Sequence, residues 1–585
     1  MQLTAAVMGT SVGQYLTLVV GALVAIGCGS LVFVEQQSSV WSSWIVFMDP
    51  ALQTAAVDFA PTSYNRVFLS IYTLVCLVYN MVLSAIIVDN VRRILAHLHQ
   101  KHSRVLGKNH ILIIGYGNGT VALMRELVQM MKDENKRPSL VLLCEDGADA
   151  IKDMSSHPDL KPVEVREGSY HVNDLEKAGA FDCEGIVYAH GYNEEDDSKL
   201  MGVLFHLFDK SRGKIVVSRH SESTRFTVDF LRQEGMNILS IDVSALLFAI
   251  SAKMAVNPKI ALMIRNLLSF ENENLILLVP NVDDIGKTLD HLYRQYKHVI
   301  ICGFIRNDAL VERNPFQKCK QGDRLLAIAA DMHSKKNSRR GTKTEVAPRF
   351  NSPRRSVSLY ETSLTVIFVL CSGHVSPSLW KALAVDVDGG SEIIVLSATC
   401  ESTIQIEEVL VKFYKNEGCL TRDSLVSYGI LRAESVVIIG DTALSTAHQR
   451  DSQVASMTAL VNTHFEHMHI VPVFEDYGMY FTSKKMFGSI KNIWPVNLAV
   501  FKAGILSMLM YHTTIGQVLI DLIRNQRLEA IPLGPQTGIS ALRLSETIGD
   551  KTLLAVYDAS GRTIHFVRPV DQVECSFESY MIVLR

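Results

Sequence analysis

Asn109-His110-Ile111-Leu112-Ile113-Ile114-Gly115-Tyr116-Gly117-Asn118-Gly119-Thr120 decides how the larger part of this chain is read. An apolar run without alternation, such as His110 to Ile114, predicts a short strand covered on both faces, as in a parallel sheet. The glycines then turn the chain into an amphipathic helix over Val121 to Met131. Strand, Gly-x-Gly and helix suit a phosphate, because bare backbone approaches closely and a helix N-terminus carries partial positive charge. Thr120 stands where a third glycine would complete G-x-G-x-x-G, and Glu145 or Asp146 ends the next strand, where a ribose hydroxyl needs an acceptor. Two readings follow. Gly115, Gly117, Gly119, Thr120 and Glu145 form a nucleotide site for a ligand such as NAD, or the loop is a tight turn kept for packing.

Working outward, apolar runs at Leu140–Leu143, Gly185–Ala189, Ile215–Ser218 and Ile238–Ile241 alternate with helical stretches. This predicts a mostly parallel sheet with helices on both faces, a Rossmann-like lobe over 109–270 that ends in a long helical segment, Val243 to Phe270. A smaller α+β lobe follows over 271–331. Residues 332–362 hold eight Lys/Arg against two acids and read as a basic linker. Within it, two arginines before Ser356 make that serine a candidate phosphosite; a plain solvated linker is the other reading.

The pattern then repeats. Glu167-Gly168 and Asp174-Leu175 in the first copy correspond to Glu417-Gly418 and Asp423-Leu425 in the second. Gly168/Gly418, Leu175/Leu425, Gly179/Gly429 and Ile186/Val436 share one offset of 250 residues. A second Rossmann-like lobe is expected over 363–525 and a second small lobe over 526–585. In the second copy Cys371-Ser372-Gly373-His374 replaces the glycine loop, so phosphate binding there is not expected.

The N-terminal part is of another kind. Residues 1–34 contain no Asp, Glu, Lys or Arg, and Val67 to Val88 is a second uncharged run. Helices at about 12–34 and 67–88 are long enough for a hydrocarbon layer, which takes roughly 20 residues. Ser38 to Met48 is apolar and aromatic but too short to cross. It predicts a re-entrant helix within a pore-like module over 1–90, or an interfacial hairpin anchored by Trp41 and Trp44. Arg92, Arg93, Lys101, Arg104 and Lys108 make 91–108 a basic connector. By the positive-inside rule they place the C-terminal part in the cytosol or an equivalent, matrix-like interior. Asn80 inside the second run faces a pore or makes an interhelical hydrogen bond.

At 585 residues, 48% hydrophobic and net charge −3, the chain is too long for one core, and neither disordered nor a basic nucleic-acid binder. Ten cysteines without a C-x-x-C support neither a disulfide framework nor a zinc ribbon. Glu194, Glu195, Asp196 and Asp197 form a candidate site for a divalent cation such as Ca2+, or an ordinary acidic helix start. No Walker loop, G-x-S-x-G elbow or H-E-x-x-H is present, so an enzyme is not expected.

This order of parts resembles the Castor/Pollux family of ion channels: a pore module followed by two tandem Rossmann-like domains of the regulator-of-conductance (RCK) type, each with a small C-terminal lobe. The resemblance is carried by Val88-Asp89-Asn90-Val91-Arg92-Arg93-Ile94, by Asn109 to Gly115, and by Arg166 to Ser169 before Asp174-Leu175. It implies a homotetramer in membrane lipid whose gating ring pulls the inner helices open on binding an ion or ligand. The filter departs from the family: Met48-Asp49-Pro50-Ala51-Leu52-Gln53-Thr54 keeps only the acid, so only Asp49 carries over, as the cation-attracting residue of the pore. A non-conducting accessory subunit anchored among the other subunits of a membrane complex is the alternative.

Overall fold

The computed structural model describes residues 11–32, 39–48 and 63–102, and most of 104–329 and 365–584, with short gaps that include 190–193, 220–221, 372–376 and 416–419. The chain divides into two compact units, Met1–Ser103 and Arg104–Arg585. The linker at 332–362, with Ser356, lies outside the described residues, as does Asp49.

In the first unit, helix Ser11–Val32, short helix Ser39–Met48 and helix Ser63–His102 pack on one another. Polar groups fix the short helix in apolar surroundings. Ser43 Oγ donates to Ile26 O at 2.9 Å and lies 2.9 Å from the Tyr72 hydroxyl. Asn80 Nδ2 donates to Phe47 O at 2.9 Å, satisfying a carbonyl that the helix end leaves open. Gly29 is required here, because a Cβ would run into Ser43 Oγ and the Tyr72 ring. Among the described residues, Ser70–Val88 is the one stretch long and apolar enough to cross a membrane, and Val19–Leu31 is a shorter apolar stretch. The basic connector expected over 91–108 is largely helix. Ser63–His102 runs through it unbroken, since no Gly or Pro interrupts its 40 residues.

The second unit opens with six parallel strands: β1 (Ile111–Ile114), β2 (Leu140–Cys144), β3 (Val163–Glu167), β4 (Gly185–Tyr188), β5 (Lys214–Arg219) and β6 (Ile238–Asp242), in the order β3-β2-β1-β4-β5-β6. Ile111 and Ile113 enter one core and Leu112 and Ile114 another, which is why the run does not alternate. The first small lobe is an antiparallel sheet of β7 (Asn274–Leu278), β8 (Ile300–Arg306), β9 (Ala309–Leu310) and β10 (Arg324–Ala329), ordered β7-β10-β8-β9.

The second half repeats this. Strands β11 (Val366–Cys371), β12 (Glu392–Ser397), β13 (Thr403–Ile406), β14 (Val409–Lys415), β15 (Ser435–Ile439), β16 (His469–Phe474) and β17 (Val496–Asn497) are ordered β13-β14-β12-β11-β15-β16-β17. Apart from the antiparallel edge strand β13, the order matches that of the first sheet. Gly179 and Gly429, at φ +74° and +92°, occupy the same left-handed turn in the two copies. In the second small lobe β18 (Leu528–Leu533), β20 (Thr552–Asp558), β21 (Thr563–Phe566) and β23 (Ser579–Leu584) pair as β18-β23-β20-β21, while β19 (Gln536–Ser540) and β22 (Gln572–Cys575) form a ribbon.

The two halves exchange helices. After β6, Asp242 caps helix Val243–Val256 by accepting from Ala245 N at 2.9 Å; after β17, Asn497 caps helix Leu498–Tyr511 by accepting from Val500 N at 3.1 Å. Both helices are almost wholly apolar and bury themselves on the opposite half. Val243–Val256 packs on helix Pro377–Asp386 and on β15 and β16, and Leu498–Tyr511 on helix Thr120–Asp133 and on β4 and β5. One core therefore runs through both halves. The lobes expected at 109–270 and 363–525 are contiguous in sequence, but each sheet takes part of its cover from the other half.

Candidate functional site

The candidate site lies at the C-terminal ends of β1 and β4, where the strand order reverses, the usual place for a ligand in such sheets. Gly115 and Gly119 are both left-handed, at φ +94° and +92°. Gly117 N donates to Thr120 Oγ1 at 3.0 Å, and Thr120 N returns to Gly117 O at 3.0 Å, so the loop closes on itself. Tyr116 donates its hydroxyl to Asp153 Oδ2 at 2.5 Å. A Cβ at Gly119 would stand 3.1 Å from Ala499 Cβ and 3.2 Å from Ala499 O, whereas one at Gly117 would meet nothing within 4 Å. The loop thus divides its glycines: Gly119 admits the exchanged helix, and Gly117 keeps its backbone open. The space beside Gly117 is open, and Gly119 is held by packing against Ala499.

Glu145, expected to accept from a ribose, pairs with Lys199 Nζ at 3.6 Å, and both are partly exposed. Asp146 is committed to the next helix, accepting from Asp149 N at 3.3 Å. Cys144, at the end of β2, is buried, and burial together with the charges of Asp146 and Glu167 pushes its thiol up to about 12. Arg125, on the helix that follows the loop, ion-pairs with Asp159 at 2.8 Å and donates to Tyr477 OH of the second half at 2.8 Å.

Of the four acids at 194–197, Asp197 is buried and accepts from Thr224 Oγ1 at 2.8 Å; the side chains of Glu194, Glu195 and Asp196 lie outside the described residues. No group of three metal-ligating side chains occurs among the described residues. Asn80 makes an interhelical hydrogen bond, to Phe47 O.

The sequence reading passed over the matching crevice of the second half. There Arg450 holds Glu475 Oε2 through Nε at 3.0 Å and Nη2 at 2.6 Å. Asp451, fully buried, accepts from Glu475 N and Asp476 N, each at 2.9 Å. Burial raises its carboxyl to about 7 against the opposing pull of those two N–H groups. It also passed over Lys502 and Lys253, the single charges of the two exchanged helices. Lys253 Nζ meets Asp386 Oδ1 at 2.6 Å with both side chains buried, and Lys502 reaches Ala189 O at 3.3 Å.

No protein-family profile matches the chain. Among curated proteins, the probable ion channel Pollux of Arabidopsis thaliana is 25% identical over 259 residues, which is 42% of this chain and 31% of that one. The matched stretch is thus less than a third of the relative's length. Among solved structures, the human SLO3 gating ring superposes with a TM-score of 0.55 at 10% identity, covering 81% of this chain and 98% of that one. The GsuK channel bound to NAD covers 97% of this chain and 96% of its own, at 14% identity and a TM-score of 0.40. Neither the curated relative nor the gating ring is an enzyme. The duplicated α/β part has the fold of an RCK-type gating-ring subunit, and the chain is similar in sequence to a channel of the Castor/Pollux kind.

Proposed function

We propose that the chain is the subunit of a ligand-gated cation channel of the Castor/Pollux type, with its first unit forming the pore module and its second a gating ring. The observation that carries this reading is the joining, in one chain, of a gating-ring fold to an apolar helical unit whose short middle helix is held by Ser43, Tyr72 and Asn80. A short helix that enters a membrane without crossing it is tolerated only where protein surrounds it, which favours assembly of several copies about an axis. Phe205, Phe226 and Phe230 of the first half, and Phe481 and Met486 of the second, are exposed and give neighbouring copies apolar surface to share. In this reading the assembly is a homotetramer, Asp49 supplies the cation-attracting carboxylates, and the gating ring faces the cytosol. The ligand is a nucleotide at Gly115–Thr120; a divalent cation at 194–197 is the second candidate.

The departure of residues 48–54 from the family's filter favours one competing reading, an accessory subunit that no longer conducts. Reconstitution in liposomes separates the two. A channel gives cation flux that falls by at least tenfold in Asp49→Ala and a detergent-solubilised mass of four chains. Absent flux, with one copy among unlike partners, overturns the channel reading.

A further inference from the structure

The first copy's crevice contains a residue from the other half of the chain. Lys502 lies in Leu498–Tyr511, a helix with no other charged side chain, and is 3% exposed. Its ammonium donates to Ala189 O at 3.3 Å, immediately after β4. Ala499, three residues earlier and so on the same helix face, is the residue that Gly119 abuts. The contact that needs a glycine at 119 therefore also brings Lys502 to the place where strand order reverses.

A second group lies on the same sheet face. Ser218, next to last in β5, is 2% exposed, and its hydroxyl has no hydrogen-bond partner. Strand alternation puts it on the side of Val216, in the core shared with Leu498–Tyr511. A buried hydroxyl left without a partner costs free energy unless something fills the role. The second crevice has no counterpart to the lysine. Counting from the matching caps Asp242 and Asn497, the position of Lys502 is taken by buried Leu247.

We propose that Lys502 and Ser218, with the start of helix Thr120–Asp133, bind the phosphate of a nucleotide in the first crevice, so that one ligand is held by both halves of the chain. The inference rests on the nucleotide reading of the glycine loop and adds the lysine from the exchanged helix. Contacts from an ammonium to phosphate oxygens are charge-assisted and strong, and a site spanning two halves converts occupancy into their mutual fixation.

The test is calorimetry and thermal melting of the full chain in detergent, with ADP as the probe and adenosine as the control lacking phosphate. Lys502→Met is expected to weaken ADP binding about 10- to 100-fold while leaving adenosine unaffected. Without ligand its melting temperature should not fall, because methionine suits an apolar helix. Ser218→Ala, which disturbs no packing, should weaken ADP several-fold and covers the case in which Lys502→Met does not fold. ADP affinity unchanged in either variant overturns the composite site and leaves the nucleotide reading standing. A wild-type chain that binds neither ADP nor NAD overturns both.

Discussion

The two crevices differ more than the two sheets that carry them. In the first, the loop is glycine-rich, Gly117 is open, and a lysine arrives from the other half. In the second, Arg450 and Glu475 close on each other, and Asp451 ties down the backbone at Glu475 and Asp476. The exchanged helices show the opposite bias. The one that covers the second half is fixed by a buried ion pair, Lys253–Asp386, whereas the one that covers the first carries its lysine to the crevice. Duplication thus leaves the two crevices unlike: the second is closed by its own charged side chains, and the first receives a lysine from the other half.

The largest expected effect comes from the ion pair. Asp386→Ala leaves the Lys253 ammonium buried without its carboxylate and should cost about 3–5 kcal/mol, read by denaturant unfolding of the second unit. A double variant, Lys253→Met with Asp386→Leu, should recover most of that loss. If Asp386→Ala alone is neutral, the exchanged helix is not fixed where the comparison places it. Next is Gly119→Val, which forces a β-branched residue into a left-handed conformation against Ala499 and should cost about 3 kcal/mol. Gly117→Ala should be nearly silent for stability, because nothing occupies that space.

A further effect concerns pH. Burial raises the Asp451 carboxyl from 3.8 to about 7, so between those values the folded form holds a proton that the unfolded form releases. Its contribution to stability is complete below the unfolded value and is lost as pH rises through about 7. Asp451→Asn should flatten that fall while costing about 1 kcal/mol at acid pH. A slope that persists in the variant assigns the dependence to other groups.

Much of this was legible in the residues. Ile111–Ile114 and its counterparts marked the covered strands, and the 250-residue offset marked the duplication. β3 was passed over because Val163-Glu164-Val165-Arg166-Glu167 mixes charge into a strand at the sheet's edge. The exchange of helices was hidden for a physical reason. A helix that is apolar all round says that it is buried, but not beneath which sheet. The available signal was a lone lysine in each, Lys253 and Lys502, since a charge kept in such a helix needs a specific partner. Glu145 shows what the sequence leaves out: its place at the end of β2 suggested a ribose acceptor, and only the fold brings Lys199 beside it.

The order in which the chain is made gives the helix exchange one more consequence. β4 and β5 leave the ribosome long before Leu498–Tyr511, which must cover them. Until that late segment arrives, Val187 and Val216 present sticky surface on a half-finished protein, a state prone to clumping unless it is shielded. A premature stop just before Leu498 would therefore damage the first half as much as the second.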